Sequence, residues 1–186
     1  VKGMYILGEN PAMSDPDLNH ARKALAALDF LVVQDIFLTE TASLADVVLP
    51  ASAFPEKTGT FTNTDRLVQL GQQAIDPPGQ ARQDLWIIQS IAQTMGLDWH
   101  YNSVEEVFDE MRRAMHSIEG ITWQRLQREH ALVYPCAHEG DIGQAVVFTE
   151  HFPTPNGKAR LVPARYRGAA ETPDLQFPFV LITGRQ

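Results

Sequence analysis

Three short, continuously apolar segments near the start of the chain constrain its fold more than any other feature of the sequence. They are GMYIL at residues 3–7, FLVVQD at residues 30–35 and DVVLP at residues 46–50. Strands that are apolar throughout, rather than at every second residue, are typical of parallel sheets with both faces covered. We therefore predict three parallel strands that are buried on both faces.

A helix is predicted between the first two of these strands. Ser14 or Asp15 can cap it, and Pro16 suits its first turn. One apolar face is formed by residues at helical spacing, namely Leu18, Ala21, Leu25 and Leu28. Strand, helix and strand within about 35 residues indicate a right-handed crossover. The predicted fold class is α/β, with part of a doubly wound, mostly parallel sheet and flanking helices.

Further elements are predicted downstream. RLVQL at residues 66–70 indicates a fourth strand, after a Thr/Asn/Gly-rich loop at residues 58–63. Three helices follow: one capped by Asp84 and ended by Gly96, one opened by a capping box of Ser103 and Glu106, and one over residues 123–129. The remainder is extended and punctuated by Pro and Gly, and Asn156-Gly157 is typical of a hairpin turn.

Charge and composition exclude several classes of protein. With 23 acidic against 15 basic side chains, the formal charge of -8 argues against nucleic-acid binding. No apolar run reaches the roughly 20 residues of a membrane helix, and the start lacks a signal-peptide pattern. The single cysteine, Cys136, excludes an internal disulfide. We therefore expect neither nucleic acid nor membrane as a partner, and a cytoplasmic location.

The two ends of the sequence indicate a segment of a longer polypeptide. Val1 stands two residues before a strand without an initiator methionine, and the chain stops at FVLITGRQ as another predicted strand ends. A mature, processed protein with a strand at each end is the alternative.

Polar residues follow the first two predicted strands. Gly8, Glu9 and Asn10 come after the first strand, and Gln34 and Asp35 end the second. Because ligands of open parallel sheets bind outside the carboxyl ends of the strands, both groups would share one edge. Their carboxylate and amide groups suit the hydroxyls and base edge of a nucleotide. The sequence lacks the phosphate-loop motifs, and the alternative is that these residues only cap and turn the chain.

Two other groups are assigned no chemistry. Cys136, His138 and Glu139, with His130 upstream, match no zinc-ligand spacing, and we place them in a surface loop. Glu56 and Lys57 are adjacent in a loop, where such side chains are usually solvated. No metal site and no acid/base pair is therefore predicted.

Three separated stretches carry a resemblance to a known family. They are GENPAMSDPD, FLVVQDIFLTETASLADVVLPASAFPEKTGTFTNTDRLVQ, and HFPTPNGKARLVP followed by FPFVLITGRQ. Together they resemble the molybdopterin oxidoreductase family, and within it the catalytic alpha subunit of molybdenum or tungsten formate dehydrogenases. The resemblance covers essentially the whole chain. It implies a subunit of four domains around a bis-molybdopterin guanine dinucleotide cofactor.

The resemblance also implies domain boundaries. Residues 1–135 would be part of a nucleotide-binding, Rossmann-like domain, residues 136–176 an extended linker with a hairpin, and residues 177–186 the first strand of a β-barrel-like C-terminal domain. The family's 4Fe–4S ligands, its metal-ligating cysteine or selenocysteine and the neighbouring histidine and arginine would all lie before Val1. No catalytic residue is therefore assigned to this chain.

By similarity, several residues fall where the family contacts its cofactor. Contacts to one guanine dinucleotide arm would come from Asn10, Ser14, Gln34, Asp35 and Asp84, and contacts near the pterin from Arg185 and Gln186. Ala51 departs from the pattern, because relatives can carry a serine there. A hydroxyl contact to the cofactor would therefore be missing.

The activity that the resemblance implies is oxidation of formate to carbon dioxide by the parent protein. Electrons would pass through iron–sulfur clusters to electron-transfer subunits, NAD- or flavin-linked ones among them. This segment would form part of the cofactor cradle together with other domains of the same polypeptide, and would be inactive alone. Two alternatives stay open: a sister oxidoreductase such as a nitrate reductase, and a cofactor-free homologue that serves as a structural subunit of an electron-transfer complex.

Overall fold

The computed structural model describes residues 1–169 and 172–182, and the chain divides into two units, Val1–Val147 and Phe148–Gln186. The strands of the first unit are β1 (Gly3–Leu7), β2 (Phe30–Asp35), β3 (Val47–Pro50), β4 (Gly59–Thr62), β5 (Leu67–Gly71) and β6 (Ala131–Val133). Its α-helices are α1 (Pro11–Ser14), α2 (Leu18–Ala26), α3 (Asp84–Thr94), α4 (Val104–Ala114) and α5 (Trp123–Glu129). Short 3-10 helices span Ala42–Leu44, Phe54–Glu56 and His116–Ile118.

The first sheet is parallel, with the strand order β1-β2-β3. All three strands lie where the apolar segments predict them. One face packs on the first two helices and the 3-10 turn after β2, in a core of Ile6, Ala12, Leu25, Leu31, Val33 and Ala42. The prediction that both faces are buried is wrong. Tyr5, Phe30 and Val47 lie on the other face, and they are 42%, 51% and 37% exposed.

The helix between β1 and β2 is divided in two. A short α1 begins at Pro11, and α2 begins after Asp17, whose carboxylate accepts a hydrogen bond from the His20 N–H at 3.2 Å. The predicted cap at Ser14 or Asp15 is therefore wrong by two or three residues. Proline after Asp15 separates the helices, and the first aspartate beyond it supplies the cap.

The second sheet is antiparallel, with the order β4-β5-β6. The predicted fourth strand exists as β5 but belongs to this separate sheet, and the predicted loop contains β4. A tight turn joins the two, in which Arg66 takes a positive φ of 69° and its N–H donates to the Asn63 carbonyl at 2.9 Å. β5 then pairs with β6, more than 60 residues later, and no sequence signal predicts this pairing.

The helices downstream of β5 begin and end close to their predicted bounds. Ser103 caps α4 by accepting from the Glu106 N–H at 3.2 Å, while the Glu106 carboxylate accepts from Asn102 rather than from Ser103. The last helix has the predicted bounds. Together with the second sheet, α4, α5 and the 3-10 helix between them bury a core of Val68, Phe108, Ile118, Ile121, Trp123, Leu126, Leu132 and Cys136.

The second unit is described through residue 182. The predicted turn forms at Asn156-Gly157, where Gly157 has a φ of 68°, but no strands flank it within the described residues. Residues 177–182 form no strand, and residues 183–186 of the predicted last strand lie outside the described part of the chain. The three domain boundaries and the β-barrel-like domain therefore stay predictions. No described helix has the length and apolar character needed to cross a lipid bilayer.

Candidate functional site

The polar ends of β1 and β2 lie side by side, as the sequence predicts. Leu7 pairs with Gln34 in the parallel register, and the Gly8 N–H donates to the Gln34 carbonyl at 2.9 Å. Gly8 takes a positive φ of 63°, which glycine adopts without strain. The Gln34 side chain is fully buried although it is polar, so it depends on hydrogen-bond partners inside the protein.

Asp84 is brought to this edge by the segment that precedes α3. The Arg82 N–H donates to the Pro50 carbonyl at 3.1 Å, and the Ser52 N–H donates to the Arg82 carbonyl at 3.0 Å. These two hydrogen bonds hold the segment alongside the end of β3. The first residue of α3 is Asp84 itself, and Gln83 holds the cap position, so the predicted capping role of Asp84 is wrong. Its carboxylate accepts from Gln34 Nε2 at 2.6 Å instead.

Four side chains form a continuous hydrogen-bonded chain, which we call the Gln34 network. The Tyr5 hydroxyl donates to Gln34 Oε1, Gln34 donates to Asp84 Oδ1, and the Lys57 ammonium donates to Asp84 Oδ2. Lys57 also donates to the Ser52 carbonyl at 3.1 Å. Partial burial of the phenol, and secondly the negative charge of Asp84, raise the pKa of Tyr5. The phenol therefore keeps its proton, and the hydroxyl can act as the donor.

Lys57 and Tyr5 are the members that sequence reasoning missed. The Lys57 side chain is 25% exposed and pairs with Asp84, so its assignment to a solvated loop is wrong. Glu56 accepts from the Ala53 N–H at 2.9 Å and shapes the turn that aims the lysine inward. The sequence does contain a signal for Tyr5. It has the only side-chain hydroxyl of an otherwise apolar strand, and it stands two residues before the end of that strand, so it lies on the same face as the last residue.

The Gln34 network has unused hydrogen-bonding capacity. A carboxylate has about four acceptor positions, and Gln34 and Lys57 occupy one on each oxygen of Asp84. An ammonium has three donors, and two of those of Lys57 have partners among the described residues. The Ser52 hydroxyl is buried and, within the described part of the chain, has no partner. This arrangement can accept from a ligand that presents two adjacent donors.

Asn10 connects two loops at the same sheet edge by hydrogen bonds. Its Oδ1 accepts from the Thr41 N–H at 3.1 Å and from the Thr41 hydroxyl at 2.8 Å, and its Nδ2 donates to Glu40 at 2.8 Å. The bond from Asn10 is the main reason why the pKa of Glu40 is lowered. Thr41 is fully buried and accepts from the Ala12 N–H at 3.0 Å. These contacts agree with a turn-forming role, and a cofactor contact of Asn10 stays a prediction.

The remaining predicted residues lie at the same edge or outside the described residues. Asp35 is half-buried at the end of β2, and one of its oxygens accepts from the Ile36 N–H at 2.7 Å. Ser14 is exposed at the end of α1. Arg185 and Gln186 belong to the last four residues, which the structure does not describe. The cofactor contacts of these four residues therefore stay predictions.

The cysteine region has no features of a metal site. Cys136 is fully buried, so its predicted place in a surface loop is wrong, and burial raises the pKa of its thiol. Its sulfur lies 3.4 Å from Arg125 Nη1. No group of three His, Cys, Asp or Glu side chains suited to a metal ion occurs among residues 1–169 and 172–182.

Comparison with known proteins identifies relatives of this chain. The family described as molybdopterin oxidoreductase matches residues 1–94. The chain is 50% identical to the F420-dependent formate dehydrogenase subunit alpha of Methanocaldococcus jannaschii and 44% identical to that of formate dehydrogenase 2 of Methanococcus maripaludis. Both alignments cover 100% of this chain and 28% of the relative.

A solved structure also resembles this fold. Acetylene hydratase from Pelobacter acetylenicus superposes with a TM-score of 0.63 at 25% identity, over 85% of this chain and 21% of the hydratase. The chain thus spans about a quarter of the length of the relatives that it matches. The matched residues 1–94 include all four members of the Gln34 network. As the resemblance in its motifs predicts, the chain belongs to the molybdopterin oxidoreductase family.

Proposed function

We propose that the Gln34 network forms part of the cradle for a guanine dinucleotide arm of a bis-molybdopterin guanine dinucleotide cofactor with molybdenum or tungsten. The observation that carries this proposal is the Asp84 carboxylate, held on both oxygens by Gln34 and Lys57 and still able to accept two more hydrogen bonds. The Ser52 hydroxyl has no partner among the described residues and belongs to the residue whose carbonyl oxygen accepts from Lys57, which supports a site completed by a polar ligand. Family membership supports a molybdopterin cofactor.

Guanine fits this acceptor better than adenine does. The Watson–Crick edge of guanine presents two neighbouring donors, N1–H and N2–H, which match the two oxygens of one carboxylate. Adenine presents an acceptor at N1, which an ionised carboxylate repels. The third donor of Lys57 suits a ligand oxygen, and Asp35, which follows Gln34 at the end of β2, suits ribose hydroxyls. In this account the residues bind and orient the nucleotide, away from the reacting atoms.

For the parent protein we propose formate oxidation to carbon dioxide. The support is the name of the relatives, which are formate dehydrogenase alpha subunits at 50% and 44% identity. The bound metal cofactor would supply the redox chemistry, and this segment would hold it in place. The other ligands, including those of 4Fe–4S clusters, would come from other domains of the same polypeptide. A cytoplasmic location stays a prediction.

The proposed electron acceptor differs from the sequence expectation. The relatives are named F420-dependent, so we propose transfer to F420 through partner subunits rather than to NAD. The likeness to a hydratase supports keeping a sister enzyme as the alternative, because one cradle can serve different reactions. The unused hydrogen-bonding capacity around Asp84 argues against a cofactor-free structural homologue.

The proposal is tested by calorimetric titration of the 186-residue chain with GDP and with ADP. We expect GDP to bind more tightly than ADP, and Lys57→Met to weaken GDP binding about tenfold or more, because a charge-assisted hydrogen bond contributes about 1.5–3 kcal/mol. Lys23→Met, which removes an exposed lysine of α2, is the matched control and should leave the affinity unchanged. Equal binding of GDP and ADP by a folded chain would contradict the proposal.

A further inference from the structure

Tyr5 and Gln34 lie on the same face of the parallel sheet. Tyr5 pairs with Val32 in the register of β1 and β2, and Gln34 is two residues further along β2. Because side chains alternate across a strand, this places both on one face. The Tyr5 hydroxyl reaches Gln34 Oε1 across the two strands. Within the described part of the chain, the side-chain amide of Gln34 bonds only to Tyr5 and Asp84.

The order of donors and acceptors in the network permits one arrangement. An ionised carboxylate only accepts, so the Gln34 end that faces Asp84 must be its NH2 group. The other end is then the carbonyl oxygen, which needs a donor because the side chain is fully buried. The Tyr5 hydroxyl is that donor. Every hydrogen bond in this part of the network therefore points from Tyr5 towards Asp84.

We propose that Tyr5 is a positioning residue for recognition of the guanine base. It does not touch the ligand in this account. Its hydroxyl holds the Gln34 amide, and Gln34 together with Lys57 holds the Asp84 carboxylate in one orientation. The inference rests on the proposed function, because it concerns the same nucleotide site.

Loss of the Tyr5 hydroxyl has a specific consequence for binding. Gln34 Oε1 would be buried without a donor, and the amide would be held at one end only. Asp84 would then keep one firm partner, Lys57, and a ligand would have to order the carboxylate on binding. Contacts to ribose and phosphate do not depend on that orientation. The preference for GDP over ADP should therefore fall more than the affinity for nucleotides in general.

The test is calorimetric titration of Tyr5→Phe with GDP and ADP, beside the unchanged chain. We expect the Kd for GDP to rise about two- to tenfold, as for loss of one neutral hydrogen bond, with the Kd for ADP unchanged. Tyr101→Phe is the matched control, because it removes an exposed hydroxyl that donates to Glu110 at 2.8 Å, and it should behave like the unchanged chain.

The possible outcomes separate the inference from the proposed function. If the unchanged chain prefers GDP and Tyr5→Phe keeps the same ratio of affinities, the inferred positioning role of Tyr5 is wrong, and the proposed nucleotide site is unaffected. If the unchanged chain has no preference for GDP, both are wrong. A fall in both affinities together with a lower thermal midpoint would indicate a merely structural tyrosine and would also overturn the inference.

A double-mutant cycle tests whether Tyr5 acts through Gln34. Gln34→Met removes the amide at similar volume, and Tyr5→Phe should have no further effect on GDP binding in that background. A full effect of Tyr5→Phe in the Gln34→Met chain would show that the hydroxyl acts by another route and would overturn the inference.

Discussion

Two charged side chains at the centres of polar clusters, Arg125 and Asp84, differ in how completely the protein satisfies them. Arg125 is 5% exposed and uses all five of its N–H donors. They reach both oxygens of Glu129, the carbonyl oxygens of Gly120 and Asp141, and the sulfur of Cys136. Hydrogen bonds to Glu129 are the main reason why the pKa of Arg125 is raised.

The Asp84 cluster, by contrast, leaves hydrogen-bonding positions unoccupied. Its carboxylate keeps acceptor positions on both oxygens, Lys57 keeps a donor within the described residues, and the Ser52 hydroxyl has no partner there. A buried charge whose hydrogen-bonding positions are all occupied has none left for a ligand, whereas the Asp84 side chain is 27% exposed and has acceptor positions that a ligand can reach. The comparison therefore distinguishes a structural cluster from a candidate binding site within one unit of the chain.

The largest expected effect is loss of stability when Arg125 is changed. Arg125→Met leaves Glu129 with Arg128 alone and removes the guanidinium donors from the carbonyl oxygens of Gly120 and Asp141, and we expect the free energy of unfolding to fall by about 2–4 kcal/mol. Urea denaturation measures this change. The control Arg128→Met removes an exposed partner of the same carboxylate and should cost about 0.5 kcal/mol or less. Similar losses in both variants would contradict the structural role of Arg125.

The next effect concerns binding rather than stability. Asp84→Asn replaces an acceptor with a donor at one position, so we expect GDP affinity to fall about 10- to 100-fold while the free energy of unfolding changes by less than about 1 kcal/mol. Asp109→Asn is the matched control, since Asp109 pairs with Arg112 at 3.0 Å on α4. If both variants bind GDP as tightly as the unchanged chain, Asp84 does not contact the nucleotide.

A smaller effect is expected at Asn10. Its side chain stabilises a turn, as Arg125 stabilises its cluster, and it lies at the same sheet edge as the Gln34 network. Asn10→Ala leaves the buried N–H and hydroxyl of Thr41 without an acceptor, and we expect the free energy of unfolding to fall by about 1–2 kcal/mol. GDP affinity should fall about threefold or less, because the effect on the site is indirect. A loss of affinity as large as that of Asp84→Asn would instead place Asn10 in contact with the nucleotide.

The smallest effect is a pH dependence of the saturated cluster. Hydrogen bonds from Arg125, and secondly from Arg128, lower the pKa of Glu129 from 4.5 to about 2. A lowered pKa in the folded state means that the stabilisation is complete above pH 4.5 and is lost as the pH falls towards 2. Urea midpoints measured across this window should fall less steeply in Glu129→Gln. If the urea midpoint falls as steeply with pH in Glu129→Gln as in the unchanged chain, the pH dependence does not come from Glu129.

The parts of the fold that depend on local patterns could be predicted from sequence. Continuous apolar runs predicted the strands of the parallel sheet, and capping signals predicted the helix that begins after Ser103. The antiparallel sheet was missed because β5 pairs with residues 131–133, a distant three-residue strand with no pattern of its own. Burial of both sheet faces was wrong because Tyr5 and Phe30 have no described neighbours that cover them.

The candidate site was predicted in part for a similar reason. The end of β2 supplies Gln34, and topology alone places it at the sheet edge where open parallel sheets usually bind their ligands. Lys57 was missed because the direction of its side chain depends on the 3-10 turn at Phe54–Glu56, which neighbouring residues in sequence do not reveal. Tyr5 was counted as an apolar strand residue, and its role follows only from a contact with Gln34, 29 residues later.

The most direct test of the central claim is an NMR titration of the 15N-labelled chain with GDP. We expect the backbone amide resonances of Gln34, Lys57 and Asp84 to shift on binding, while those of Arg125 and Glu129 stay unchanged. Shifts confined to the Arg125 cluster, or no shifts at all in a folded chain with GDP at millimolar concentration, would contradict the claim that unused hydrogen-bonding capacity marks the nucleotide site.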